Sequence, residues 1–280
     1  MIMESKQNLL RFETSSPFKR QIQTPNLLIV VPVYNEANIL LAKLTLLYNY
    51  LTTIDSFLLV LSVDDSGDES VRIVNEFMKS HNNVEVIIHN EKKGRGFAVR
   101  EAWIKFEANY YSFIDADLAT GVEVIQESLK VLEPGKVDIV TASRYCPGAK
   151  VDRPPLRNTI SKIYNYMLRI LFNDKLNDHQ CGFKIINNRV KESILKKTEI
   201  NSWFWDTELL VKAAKYHFEI IEVPVTWTEK KYKRTSFRRL VKDIGIHGYG
   251  IFRLVQDVKD INGDIHRDSK EEINAFPKKV

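Results

Sequence analysis

The chain reads as an α/β protein with a mostly parallel sheet flanked by helices, and three observations predict it. Apolar runs of strand length alternate with helix-like patterns through the first half of the sequence. Several runs, Leu27 to Val33 first among them, are continuously apolar, as strands buried in a sheet are. Most polar clusters follow directly after such a run. In an open parallel sheet that places them along the edge beyond the carboxyl ends of the strands, where ligands bind.

Taken in order, residues 1–25 form a loose leader ending at Pro25. Leu27 to Val33 is the first strand, closed by Tyr34-Asn35-Glu36, and Asn38 to Leu51 has a helical pattern. Phe57 to Val63 is a second strand ending in Asp64-Asp65-Ser66-Gly67-Asp68, with a helix over Ser70 to Ser80. Val84 to His89 is a third strand, and Gly96 to Ala108 a helix. The short aromatic run Tyr110 to Ile114 suits a buried strand, and Val137 to Ala142 is another. After Pro154-Pro155 helices lengthen, over Ser161 to Phe172 and Asp206 to His217. Ile220 to Trp227 is a late strand that Pro224 demotes to an edge. Residues 236–260 read as an amphipathic, membrane-associated segment and 261–280 as a charged tail.

At 280 residues and 44% hydrophobic content the chain supports one large domain or two small ones. No run of eighteen apolar residues occurs, and the leader lacks the apolar core of a secretion signal, so neither a membrane span nor export is expected. Two cysteines, Cys146 and Cys181, do not make a disulfide scaffold, and a reducing cytosol fits. The net charge of +5 permits a phosphate or lipid surface as partner, while nucleic-acid motifs are absent from the sequence.

Asp115-Ala116-Asp117 is the most informative motif. Two carboxylates one residue apart at a strand end offer hard oxygen ligands to Mg²⁺ or Mn²⁺, which binds through one or two carboxylates plus substrate phosphates. The plain alternative is a solvated turn. Asp64-Asp65 is suited to accept N–H donors of a nucleobase or, alternatively, to cap the next helix with Asp68 and Ser70. The glycines of Lys92-Lys93-Gly94-Arg95-Gly96 precede a helix and offer backbone donors and charge to a phosphate, or make an ordinary loop. In Asp178-His179-Gln180-Cys181-Gly182-Phe183-Lys184, between helices, Asp178 has the plausible polar role; Cys181 reads as a packed small hydrophobe, since one Cys and one His lack the other ligands of a zinc site. Trp203-Phe204-Trp205-Asp206 is either a helix cap with core aromatics or an apolar wall beside a carboxylate.

In order and content these segments resemble the GT-A domain of family 2 glycosyltransferases: V-P-V-Y-N-E at 31–36, Asp64-Asp65, N-x-x-x-G-R-G-x-A, Asp115-Ala116-Asp117 and Ser143-Arg144-Tyr145. D-x-Q-C-G-F-K at 178–184, W-F-W-D-T-E-L-L at 203–210 and V-T-W-T-E at 225–229 resemble dolichyl-phosphate β-glucosyltransferases, neighbours of the dolichyl-phosphate mannose synthases. The resemblance spans roughly residues 26–255 and implies a GT-A fold with a mixed, mostly parallel sheet over 26–235. It implies that Pro32, Tyr34, Glu36, Asp64, Asp65, Lys93, Arg95, Asp115 and Ala116 bind the nucleotide sugar, with Asp65 on the base. Asp115 and Asp117 would hold the metal; Asp117, Arg144 and Asp178 would carry catalysis; Arg144, Lys233 and Arg234 would meet an acceptor phosphate. Three departures stand out. The D-D-G-S-x-D loop is shortened to D-D-S-G-D, Ala119 replaces a metal-binding Gln of the mannose synthases, and Lys233-Arg234-Thr235-Ser236 replaces a Ser-Lys after W-T-E.

The implied reaction moves a hexose, with glucose favoured over mannose, from UDP-glucose or GDP-mannose to a polyprenyl phosphate on the cytoplasmic face of a membrane. A hydroxyl acceptor such as a sugar or glycerate would instead need a general base, with Asp178 or Asp206 as candidate. A non-catalytic nucleotide-sugar-binding subunit is the other alternative. Phe237, Leu240, Val241, Ile244, Ile251, Phe252 and Val255, flanked by Arg238, Arg239, Lys242 and Arg253, suit an interfacial helix on anionic lipid.

Overall fold

The apolar runs become strands buried on both faces. In β1 (Leu27–Val33), Leu27, Ile29 and Val31 point into one core and Leu28 and Val30 into the other. Alternate side chains of a strand face opposite sides, so a run without polar gaps marks a sheet covered twice. Each fully buried Leu, Ile or Val contributes roughly 1.5–3 kcal/mol. The first core is closed by α1 (Ala37–Leu51), α2 (Ser70–Ser80) and α4 (Val124–Leu132); the second by α3 (Arg95–Lys105), α6 (Asn188–Ile194) and α7 (Trp205–Lys215).

The structure, a computed structural model, describes residues 24–228 and 245–261. Besides β1, the main sheet contains β2 (Phe57–Val63), β3 (Val84–Ile88), β4 (Tyr110–Ile114), β5 (Ile139–Ser143), β7 (Phe183–Asn187) and β8 (Ile220–Pro224). Their order is β3-β2-β1-β4-β7-β5-β8, and β7 alone runs against its neighbours. The ends of β1, β2, β4 and β5 therefore open on one edge, as the alternation predicted. Two short strands, β6 (Lys150–Asp152) and β9 (Thr226–Thr228), pair separately.

Three differences from the sequence reading have physical causes. Residues 178–184 do not simply join helices. They run into β7, a short strand whose Lys184 breaks the apolar pattern although it is fully buried. The helix expected from Ser161 starts six residues earlier as α5 (Pro155–Phe172). Pro155 stands in its first turn, where a missing N–H costs nothing because that donor has no intrahelical partner. The late strand splits at Val225 into β8 and β9, next to the Pro224 that flagged it.

A helix over 245–261, here α8, packs on a third core. Leu254 and Val258 are buried there with Leu168, Phe172, Phe204 and Val211, and Ile251 and Val255 pack against them. That corrects part of the expected interfacial face: Ile251 and Val255 meet the protein's own core, while Phe252 is exposed. Phe237 to Ile244, with Arg238, Arg239 and Lys242, lie outside the described residues. No helix among the described residues is long and apolar enough to cross a membrane.

Candidate active site

The loops after β1 and β2 are tied into one unit. Asn35 N–H donates to Ser66 Oγ (3.1 Å) and Gly67 N–H to Asn35 Oδ1 (2.9 Å), while Asp68 accepts from Ala37 and Ser70 N–H, both at 3.0 Å. Glu36 N–H donates to Ser70 Oγ at 3.1 Å. Asp68 thus takes the helix-starting role that the Asp64-Asp65 cluster left open.

The two aspartates have separate surroundings. Asp64 is buried and accepts the N–H groups of Lys93 (3.3 Å) and Gly94 (2.8 Å), with His89 Nδ1 at 3.2 Å. It fixes the loop that carries Lys92, Lys93 and Arg95. Asp65 is exposed beside it. Pro32 is half-buried, Tyr34 is exposed, and the Lys92 ammonium lies 3.5 Å from the centre of the Tyr34 ring. The Lys93 ammonium pairs with Glu91.

Asp115 and Asp117 are both partly exposed at the carboxyl end of β4, with Ala116 buried between them. Asp117 Oδ1 accepts Ala119 N–H at 3.1 Å. Asp115 N–H donates to Gly182 C=O (3.0 Å), and its carboxylate lies so close that a Cβ on residue 182 would clash with Oδ2. Glycine at 182 is therefore required for Asp115 to sit there. This is the chemistry behind the C-G pair, which the sequence reading quoted without a role.

Arg95 is buried under this turn. Its Nη1 donates to Asp115 Oδ1 at 2.8 Å and its Nη2 to Asp206, which α7 presents with no exposure. Gly94 takes φ +99° to make the turn, a conformation that L side chains rarely adopt. The G-R-G loop thus places its arginine between two carboxylates of the protein. Trp203, exposed, covers the other side, 4.1 Å from guanidinium carbon to ring centre. Lys184 Nζ is 3.7 Å from Asp206 and donates to Cys181 C=O at 3.1 Å. Burial first, then Arg95, pushes the Lys184 amine down to about 7. Burial likewise pushes the Cys181 thiol up to about 12, the state of a packed hydrophobe.

At the end of β5, Arg144 is gripped by one carboxylate. Its Nε and Nη2 donate to the two oxygens of Asp178 at 2.7 and 2.8 Å, and its backbone N–H adds a bond of 3.0 Å. Asp178 has no exposure, and its own N–H is held by Glu222 at 2.9 Å. Burial opposes both charges, yet Asp178 holds Arg144 above its ordinary value and Arg144 holds Asp178 below the usual carboxylate range. Trp227 and Tyr145 flank the guanidinium, with ring centres at 5.0 and 5.4 Å. Asp178 was expected among the catalytic groups; in the structure it is fully enclosed and both its carboxylate oxygens are bonded to Arg144. Lys233 and Arg234 lie outside the described residues.

Glu222 and His89 carried no expectation from the sequence, and Arg95 and Asp206 were named there only singly, not as a pair. Their partners lie 12 to 111 residues away in the chain, and the packing of α3 and α7 on the sheet brings them together. The segment from Asp178 to Gly182 joins both halves, because its first residue holds Arg144 and its last backs Asp115.

A mixed sheet of this order, with an acidic turn beyond its fourth strand, is the arrangement of the GT-A fold. Residues 28–195 match the family described as "Glycosyl transferase family 2", and the chain belongs to it. It is 32% identical over 229 residues to glycosyltransferase AglD of Haloferax volcanii, covering 80% of this chain but only 36% of AglD, about a third of that relative's length. It is 28% identical over 225 residues to dolichyl-phosphate beta-glucosyltransferase ALG5C of Trichomonas vaginalis, covering 76% of this chain and 67% of the relative. Among solved structures, glucosyl-3-phosphoglycerate synthase from Mycobacterium tuberculosis with UDP superposes with TM-score 0.62 at 13% identity, over 83% of this chain and 80% of that one. The mannosyltransferase from Pyrobaculum calidifontis with GDP-Man and Mn²⁺ gives 0.55 at 16% identity, over 88% and 76%. At such identities these two show the fold.

Proposed function

We propose that this enzyme transfers a hexose, glucose before mannose, from a nucleotide-diphosphate sugar to a polyprenyl phosphate of the dolichyl type, at the cytoplasmic face of a membrane. The observation that carries the choice of acceptor is the enclosure of Asp178 and Asp206. A hydroxyl acceptor needs a base, and both candidates have no exposure and are paired to arginines. A phosphate monoester, with its second pKa near about 6, is already largely dianionic at neutral pH and attacks without one. The relatives named as dolichyl-phosphate glucosyltransferases support the same acceptor and favour glucose.

In this reading an acceptor phosphate oxygen bonds to the anomeric carbon as the bond from that carbon to the nucleoside diphosphate breaks on the opposite face, inverting the centre. Arg144 meets the acceptor phosphate through the part of its guanidinium that Asp178 leaves over, joined by Lys233 or Arg234. Pro32, Tyr34 and Asp65 cradle the base, with Lys92 and Lys93 near the diphosphate. The donor set at Asp115 and Asp117 is two hard oxygen groups on a partly open turn, without sulfur or imidazole, and fits Mg²⁺ or Mn²⁺. Bound there, the ion would offset charge on the departing diphosphate. Catalysis is then mostly positioning and charge stabilisation.

The test supplies labelled UDP-glucose or GDP-mannose with a polyprenyl phosphate in detergent and identifies the extracted product. A sugar–phosphate–lipid that mild acid cleaves at the anomeric bond is expected, with UDP-glucose the better donor. An acid-stable glycoside would replace this reading with transfer to a hydroxyl.

A further inference from the structure

Helix α5 carries a feature that the transfer reaction does not use. Leu156, Ile160, Ile163, Tyr166, Met167, Ile170 and Leu171 are all exposed, between 42% and 73%. At 3.6 residues per turn they share one face, an arc of about 140°. The opposite face, with Asn165, Leu168 and Phe172, is the one that packs on the protein. A contiguous apolar face of this size on a water-soluble surface marks an interaction site.

Charge identifies the occupant. The eighteen residues of α5 include Arg157, Lys162 and Arg169 and no acidic residue. On the helical wheel Arg157 borders one side of the apolar arc, and Lys162 and Arg169 border the other. An apolar face rimmed by cations suits an interface helix lying in the headgroup layer of an anionic bilayer. A second copy of this chain would instead set like charges against one another along both rims.

The helix also adjoins the acceptor side of the active site. Arg153, just before it, donates from Nη1 to Tyr145 OH (3.4 Å) and to Ser161 Oγ (2.9 Å). The Lys162 ammonium lies 5.9 Å from the centre of the Tyr145 ring, and Tyr145 flanks Arg144. A bilayer under α5 would therefore lie on the side of the molecule from which a lipid-borne phosphate reaches Arg144.

We propose that the exposed face of α5 is a membrane-docking surface that beds the enzyme on anionic lipid beside Arg144. The inference rests on the lipid-linked acceptor of the proposed function and adds the surface that meets the bilayer.

The experiment uses the full chain with vesicles of phosphatidylcholine alone or with about a third phosphatidylglycerol. Wild type should sediment with the anionic vesicles and be released by salt, since the cationic rim is screened within about 10 Å at 0.1 M. Ile163→Glu and Ile170→Glu, both on the exposed face, should weaken binding at least tenfold while melting temperature and donor binding by calorimetry stay unchanged. Their transfer to a short, detergent-soluble polyprenyl phosphate should match wild type, and transfer to acceptor embedded in vesicles should fall. Undiminished sedimentation of both variants would overturn the proposal. So would a dimer of the wild type in sedimentation velocity that Ile163→Glu dissolves, because the face would then be covered by a second copy. Vesicle binding that depends on α5 without transfer to any polyprenyl phosphate would leave the docking surface standing and remove the acceptor assignment instead.

Discussion

Two arginines on the same edge of the sheet are held in opposite ways. Arg95 is stretched between Asp115 and Asp206, one carboxylate on each Nη, and its buried Nε has no hydrogen-bond partner. Arg144 faces one carboxylate squarely and uses only Nε and Nη2 on it. The first arrangement is a strut: it joins α3, β4 and α7 and keeps Asp115 in place. The second is a mount, in which Asp178 orients a guanidinium and leaves Nη1 for something else. A cation neutralised by two carboxylates has little attraction left for a phosphate, whereas one held edge-on by a single carboxylate still presents donors. Sequence alone offers both as anion contacts, Arg95 to the nucleotide sugar and Arg144 to the acceptor phosphate, and does not tell strut from mount.

The largest effect belongs to the acidic turn that the strut supports. Asp117→Asn should lower turnover about a thousandfold, or about 4 kcal/mol of transition-state stabilisation, with little change in melting temperature. Asp115→Asn should match that loss and also lower melting temperature, because the buried Arg95 then keeps one carboxylate in place of two. EDTA should silence the wild type, and Mg²⁺ or Mn²⁺ should restore it. Full turnover in chelator would remove the ion from the mechanism and leave Asp115 as the strut's anchor alone.

The mount is tested by emptying it. Arg144→Ala should cut transfer by about a hundredfold, the scale for losing one preorganised charged donor, while calorimetric binding of the nucleotide sugar survives. It should also destabilise the fold by about 3–5 kcal/mol, because Asp178 is left buried and unpaired. Arg144→Met combined with Asp178→Leu should recover most of that stability and none of the transfer. If the pair of substitutions restored transfer as well, Arg144 would be structural only.

A smaller effect follows from pH. Burial works against the Asp178 carboxylate, but Arg144 holds its folded pKa below the ordinary value of about 3.9. Between the folded and unfolded values the unfolded chain binds more protons, so stability rises with pH across that window. The pair's contribution is complete above the unfolded value and is lost as pH falls through the folded one. Urea midpoints of the wild type should therefore decline below about pH 4. The Met/Leu double variant should decline less steeply. Equal slopes would move the acid sensitivity to other carboxylates.

What could be read from the sequence divides along the same line. β1, β2 and β4, and the acidic turn after β4, could be read because their signals are local: apolar runs that end in carboxylates. Local signals also named Asp178 as a candidate base and Arg95 as a phosphate contact, and gave no sign of the ion pairs that hold them. Their partners are 34 and up to 111 residues away, so nothing nearby announces them. The reversed strand β7 is what brings 178–184 between the ends of β4 and β5, and its buried Lys184 hid it. Membrane contact was sought in 236–260 for its basic flanks; Ile251 and Val255 there pack on the protein. The seven exposed apolar residues of α5 went unread, since a helix pattern does not say which of its faces is covered.

Trp203→Ala is the mildest of these changes and bears most directly on the strut. Its exposed ring stacks on Arg95, and Phe113 lies beneath with its ring centre 5.1 Å from the guanidinium. An exposed cation–π contact is worth about 0.5–1 kcal/mol, so Trp203→Ala should shift the urea midpoint only slightly. Two roles for the ring then separate by kinetics. If it only shields the strut from water, Trp203→Phe should restore the midpoint and Michaelis constants should hold throughout. If it is the apolar wall for a sugar ring or a lipid head, Trp203→Ala should raise KM for that substrate several-fold, beyond anything the small stability change implies. The strut reading predicts that kcat falls with Trp203→Ala only as far as Asp115 loosens, and that raising Mg²⁺ or Mn²⁺ compensates. A fall in kcat that the ion does not reverse would place Trp203 against the reacting sugar and make the Arg95 side of the edge part of the binding surface.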